Sequence, residues 1–530
     1  MKYLDQKGIV APLVLITASV FIIFGVALIS WSVTNHKNTI VKVRQTQSLQ
    51  VAEAGVNYYK WHLTHNSSDY KDGNNWCCGD PDPDPALSLD DCKGICGPYL
   101  HDYKDYNGAV IGQFSLKIIP SKTGSTINTI KSTGHAYGNS SAQKEITVIV
   151  GKRSLAEYSF LTHSPIWIGS GEATSGPLHS NGGIRFDDTC DAEVTSAVST
   201  YNCSGTGHGC SGTKPGIWGA GGPTTLWRFP VSPIDFSLFT VSLANIKTNA
   251  LNDGTYFGGN IIDCGDGVCG MMEDHSSCSA DCPANCGNGN CQGGETYNTC
   301  PNDCPINGYL VRFNPAGTFN IYKINSLESQ VSYYDYEVGY SKWEAEQIDT
   351  SALEQVGGDY NFPENGVIFI EDDVWVEGTI NGKVTLAAAK LDGESSYARI
   401  RINDNINYIN SPEGERKSGN HNLGLIAQGD ILVPRHAPDN LTIDATLLSQ
   451  NGHVYFRNYG FSYRVIKNNI EIYGGVITNL FWTWSYVTYA EGPVVNGYQT
   501  TNTIYNNNLL FNPPPSFPTT ENFEVLSWSE

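Results

Sequence analysis

Residues 9–31, IVAPLVLITASVFIIFGVALISW, and residues 50–59, QVAEAGVNYY, decide the reading of this chain. The first run holds 23 positions without a charge, enough to span a bilayer as a helix. The second belongs to a stripe of Leu49, Ala52, Val56, Tyr59 and Leu63, spaced 3, 4, 3, 4, which is one face of an amphipathic helix. No Pro or Gly interrupts residues 26–54, so the spacing predicts one helix from Ile9 to Leu63, about 80 Å long.

Downstream of residue 64 the character changes. Residues 65–106 are polar and carry DPDPDP, which suits turns and not a helix interior. Three strand-like runs follow, Gln113–Ile119, Ile127–Ala136 and Lys144–Val150. A Gly-rich region begins near Pro165, and Phe236, Phe239, Leu243, Ile246 and Ala250 mark one helix capped by Asp235 or Ser232. From Gly308 onward, short apolar runs such as GVIFIEDDVWVEGTINGKVTLAAA alternate with Gly or Asn-Gly turns. The fold class expected is mainly β with a long N-terminal α-helix. A helix plus small antiparallel sheet comes first, then a β-solenoid-like domain, with a β-sandwich as the alternative. The Pro-rich tail reads as a strand-and-turn seal over an open end.

The 15 cysteines are clustered and include no CxxC knuckle, so disulfides in an oxidising compartment are favoured over zinc. Cys77, Cys78, Cys92 and Cys96 would close the polar loop. Cys190, Cys203 and Cys210 form a group of three, the natural home of the odd thiol. CGDGVCGMMEDHSSCSADC (residues 264–282) and CGNGNCQGGETYNTCPNDC (residues 286–304) are one pattern repeated. Cys264, Cys269, Cys278 and Cys282 recur as Cys286, Cys291, Cys300 and Cys304. Each copy is too poor in apolar residues for a core of its own and depends on disulfides. Asp266, Glu273 and Asp281 recur as Asn288, Glu295 and Asp303. Calcium is the candidate cofactor there, since it takes oxygen ligands; turn-filling is the plainer role.

Net charge is −21, with 32 Lys plus Arg against 53 Asp plus Glu, which argues against nucleic acid as a partner. No G-x-S-x-G elbow, Walker loop, HExxH or GxGxxG opening a helix is present. His163, His179 and His208 read as polar loop residues. Glu371, Asp372 and Asp373 are grouped, but neighbours on a strand face opposite ways, so at most Glu371 and Asp373 cooperate. Trp482, Trp484, Tyr486 and Tyr489 alternate and read as packing, or as a sugar platform if exposed. No enzymatic activity is expected.

The basic leader ending at Lys7-Gly8, the apolar helix starting at once after it, and Ala52, Glu53, Ala54 and Gly55 together resemble type IV pilin-like proteins. The nearest group is the minor pilins with a PilX-like N-terminus. The resemblance implies cleavage between Gly8 and Ile9 by a prepilin peptidase, and packing of the new N-terminal helix among other pilin-like subunits. Major pilins carry Glu at the fifth mature position; here it is Leu13, which favours an accessory subunit. The implied organisation is leader 1–8, N-terminal helix 9–64, head 65–152, Gly-rich β region 153–263, duplicated Cys-rich repeat 264–305 and β-solenoid-like domain 306–530. The expected protein spans the membrane once, with its bulk extracytoplasmic in the cell envelope or on a pilus. Surface glycans or a host cell surface are its candidate ligands, in adhesion or pilus assembly. An envelope adhesion protein unrelated to pili is the alternative, and a β-helix polysaccharide-active enzyme the second alternative.

Overall fold

The computed structural model describes residues 10–66, 69–74, 94–121, 126–137, 142–236, 238–258, 306–336, 338–391, 396–409, 421–488, 492–510 and 512–530. They fall into two compact units. The first takes residues up to Ser121, Ile127–Lys152 and Glu521–Glu530; the second takes Lys122–Thr126 and Arg153–Thr520.

In the first unit, helix α1 (Val10–His65) is continuous over 56 residues. Its first half carries exposed apolar side chains from Leu13 to Val43. Ala52, Val56, Tyr59 and Leu63 are buried instead, as the 3,4 spacing predicts; Leu49 of that stripe is only partly buried, and Val51, outside it, is buried as well. They lie on an antiparallel sheet of β1 (Cys96–Lys104), β2 (Val110–Ile119), β3 (Ile127–Ala136) and β4 (Gln143–Ser154). Alternate residues face the helix, so cross-strand rows form: Ile118–Ile130–Val148, Leu116–Ser132–Ile146 and Phe114–Gly134.

Two sequence expectations change here. CGPYLHDYK, read as loop, is edge strand β1, and its Tyr99 is buried in the helix–sheet core. The tail seals no open end. Strand Thr519–Ser529 joins the sheet beside β4, giving five strands and not three. A strand recruited from the far end of the chain leaves no local signal near residue 150.

The second unit is a β-solenoid-like stack of parallel rungs. On one face the rungs run Thr255–Phe257, Val367–Ile370, Lys383–Ala388, Asn422–Ala427, Thr446–Ser449, then the end of Ile466–Thr478. The next rungs are Phe160–Thr162, Leu178–Ser180, Val194–Ser196 and Trp227–Arg228. The residues divided above into 153–263 and 306–530 thus share one stack, the rungs of the later region lying between Thr255–Phe257 and Phe160–Thr162. Every pairing on this face is parallel, whereas a sandwich would pair antiparallel neighbours. Ile368, Leu386, Leu425, Leu447, Val476, Phe160, Leu178 and Val194 stack inward as one buried column.

The outer side of this face is apolar too, so it needs a cover. Helix α2 (Leu238–Asp253) supplies Leu243, Ile246 and Ala250 against Phe369, Ile426, Leu448 and Ile477. Phe517 of the Pro-rich tail covers the rest. One position further along each rung, Ser449, Thr478, Thr162, Ser180 and Ser196 donate to carbonyls of the turns, at 2.7–3.0 Å. This satisfies backbone acceptors that a stacked turn would otherwise bury unpaired. At Gly474, φ is +153° and an added Cβ would strike the Ala445 carbonyl, so the long strand turns its corner only with glycine there.

Candidate functional site

The motif residues Ala52, Glu53, Ala54 and Gly55 divide between two faces of α1. Ala52 and Gly55 are buried on the sheet, while Glu53 and Ala54 are partly exposed. Helix and sheet meet closely at this point. A Cβ on Gly134 would collide with the Ser48 carbonyl and the Ala52 amide, and one on Gly55 would meet Phe114 at 2.8 Å. Ser48 Oγ, fully buried, donates to the Ala142 carbonyl at 2.8 Å and accepts the Ala136 amide at 3.2 Å. The motif therefore works here as a helix–sheet seam built from small residues.

Gly8 and Ile9, Cys77, Cys78 and Cys92, and the whole repeat from Cys264 to Cys304 with Asp266, Glu273, Asp281, Asn288, Glu295 and Asp303 lie outside the described residues. Cys96 is disulfide-bonded. Cys203 bonds to Cys210, leaving Cys190 free within the group of three. Among the described residues no group of three or more His, Cys, Asp or Glu side chains is placed to hold a metal ion.

His179 is not a loop residue, and His208, which does lie in a loop, is buried. His179 sits in a rung, with Nδ1 2.8 Å from Thr195 Oγ1 and Nε2 3.0 Å from Asn181 Oδ1. Burial, with Arg185 adding to it, pushes the His208 imidazole down to about 4. Trp482 and Trp484 are buried, as packing requires. Glu371, Asp372 and Asp373 each meet a cation: Lys247 at 2.5 Å, Lys390 at 3.1 Å, and Arg399 with Arg401 at 3.0 and 2.8 Å. Glu371 also accepts from Tyr256.

Asp373 opens a feature that the sequence did not reveal. On the second face, the residues just before successive strands are Asp373, Arg399, Asp430, His453 and Phe481. They stack because each strand's first amide donates to the next turn: Val374 to Arg399 O, Ile400 to Asp430 O, Ile431 to His453 O, Val454 to Phe481 O. The side chains then interact along the column. Arg399 bonds Asp373, His453 Nδ1 lies 3.1 Å from Asp430 Oδ1, and the His453 and Phe481 rings are 4.2 Å apart.

A hairpin, Val331–Asp335 with Tyr340–Glu344, docks on this face through the Tyr333–Tyr459 bridge. Glu344 accepts from Arg399, Arg401 and Arg457 at 3.1, 2.6 and 2.7 Å. Glu346 accepts from Arg457 at 3.2 Å and from Tyr459. Burial would raise the Glu344 carboxyl, but the three guanidiniums hold it well below the usual carboxylate range. Arg401 lies over Trp375 at 4.2 Å and Arg457 over Tyr333 at 3.9 Å. Between hairpin and column lies a cavity of about 410 Å³.

Together these parts define a chain with a long N-terminal helix, a small antiparallel sheet and a large β-solenoid-like unit. Its exposed apolar helix is long and apolar enough to cross a membrane. No protein-family description matches the chain, and no curated protein does. Among solved structures, the competence-associated pilin ComZ from Thermus thermophilus is similar at 13% identity, over 92% of this chain and 97% of that one, with a TM-score of 0.25. A likeness that slight leaves fold and function to be argued from this chain's own residues.

Proposed function

We propose that this chain is a non-enzymatic, minor pilin-like subunit with a PilX-like N-terminus, belonging to a type IV pilus or pseudopilus. Its apolar half-helix anchors it in the membrane and among other pilin-like subunits. Its β head is displayed outside for surface adhesion or pilus assembly.

One observation carries this reading: α1 passes without a break from an exposed apolar half into an amphipathic half seated on an antiparallel sheet through Ala52 and Gly55. A simple membrane anchor has no need of a rigid helix shared between bilayer and head. The absence of Glu at Leu13 suits an accessory subunit. The non-enzymatic part is supported by the engagement of Glu371, Asp372 and Asp373 with lysines and arginines, which occupies the grouped carboxylates.

N-terminal sequencing of the mature protein tests the reading. A chain beginning at Ile9, and left uncut in Gly8→Arg, is the expected result. A mature chain that keeps Met1, or one cut near Ser30, overturns it in favour of an envelope protein unrelated to pili.

A further inference from the structure

The cavity beneath the hairpin combines two kinds of wall. Its floor is polar: Arg399, Asp430, Asn451 and His453. Its rim is aromatic: Tyr336 and Tyr397 line it and remain 40% and 54% exposed. At about 410 Å³ it lies in the size range of small-molecule sites, roughly 300–1,000 Å³.

The charges in and behind it nearly cancel. Arg399, Arg401 and Arg457 face Glu344, Glu346 and Asp373, and Lys342 pairs with Asp335 at 2.8 Å. Asp430 is the charge left over. Its Oδ1 is taken by the His453 amide at 2.7 Å and by Nδ1 at 3.1 Å. Its Oδ2 has Tyr455 Oη at 3.5 Å, beyond a good hydrogen bond. With Nδ1 engaged by Asp430, His453 has its other ring nitrogen, Nε2, left for a ligand hydroxyl. The floor thus favours a ligand rich in donors and without negative charge, and the rim favours one with flat C–H faces.

We propose that this cavity binds a neutral saccharide, with its hydroxyls held by Asp430, His453 and Asn451 and its ring faces laid on Tyr336 and Tyr397. The proposal gives the displayed head a ligand class and rests on the preceding reading only for its biological setting. Cleavage at Gly8 plays no part in it.

The test uses the purified full chain in detergent. Saturation-transfer NMR and calorimetry would be run with neutral tetrasaccharides of glucose, mannose, galactose and N-acetylglucosamine, alongside a galacturonan tetramer and sialyllactose. At least one neutral sugar binds, and the acidic ones do not. Tyr397→Ala, at an exposed position that leaves the fold intact, weakens binding about tenfold or more, in the manner of a truncated aromatic anchor. Asp430→Asn weakens it as well, while Tyr340→Ala, an exposed tyrosine off the cavity, leaves it unchanged. Failure of every neutral sugar, binding of acidic sugars alone, or unchanged binding by Tyr397→Ala overturns the proposal. Because the uncut chain serves as well as the cut one, its failure is distinct from failure of the pilin reading.

Discussion

Val476 and Phe160 are partners on adjacent rungs of one parallel ladder, although they come from opposite ends of the second unit's sequence. The chain enters the stack in its middle and adds rungs as far as Trp227–Arg228. It then crosses through α2 to Thr255 and builds the other half until it meets its own beginning. The ends of the unit are therefore joined directly, with the Leu155 amide donating to the Pro518 carbonyl at 3.0 Å.

Phe160 is the inward residue at that junction and stacks on Trp482 with ring centroids 4.6 Å apart. Phe160→Ala is expected to cost about 3–5 kcal/mol. In a stack held by nearest-neighbour interfaces, that loss falls on the joint between the two arcs. Denaturant unfolding followed by tryptophan fluorescence reads it, and a loss within experimental error would mean the arcs are not coupled there.

Glu344 ties the hairpin to three arginines. Its native carboxyl is held below the unfolded value of about 4.3, so its contribution is complete above that pH and disappears as pH falls through the depressed native value. Glu344→Gln leaves three guanidiniums with only Asp373 and Glu346 to balance them and is expected to cost about 3 kcal/mol at neutral pH. Melting curves at pH 7 and in acid should show the gap between variant and parent closing as the parent's own carboxylate protonates.

Glu172 behaves in the opposite sense. Burial pushes its carboxyl up to about 7, with Asp188 adding to the rise and the Gly169 amide at 2.7 Å opposing it. The folded state then holds the proton more tightly than the unfolded chain, so this residue's stabilisation is full below about pH 4.3 and is lost as pH rises toward about 7. Glu172→Gln should remove that slope. Melting temperatures at pH 5 and pH 8 decide it, and an identical pH dependence in the variant would refute the assignment.

Gly134 sits where the backbone of α1 closely approaches β3. Gly134→Val must displace the Ser48–Ala52 turn, and overpacking of this kind costs about 1–3 kcal/mol. Faster amide hydrogen exchange along β3 would report the loosened seam, and exchange unchanged from the parent would argue against a tight approach.

The repeat at residues 264–304 should be a disulfide-held module free of zinc, and its deletion should leave the β-solenoid-like unit folded. If Asp266, Glu273 and Asp281 hold calcium, the copy with Asn288 binds more weakly, having one charge fewer. Calorimetric titration of the full chain and of the deletion variant tests both points. A flat titration in both returns these carboxylates to filling turns.

The sequence by itself determined what short-range periodicity encodes. The 3,4 spacing from Leu49 to Leu63 set the buried stripe of α1, and the alternation in residues 113–150 set three strands of the sheet. The Gly-punctuated apolar runs marked stacked strands, and Leu243, Ile246 and Ala250 marked the buried face of α2. Each follows from the geometry of one helix or one strand, which its own residues carry. Only the tertiary structure decided which strands are neighbours. Nothing near Val476 specifies Phe160, and nothing near β4 specifies Thr519–Ser529, because a ladder partner is chosen by the folded stack as a whole. The same holds for the column Asp373, Arg399, Asp430, His453 and Phe481. Its members are separated by turns of unequal length and share no spacing in the chain. They become one surface because parallel rungs place the residue before each strand over the residue before the preceding one.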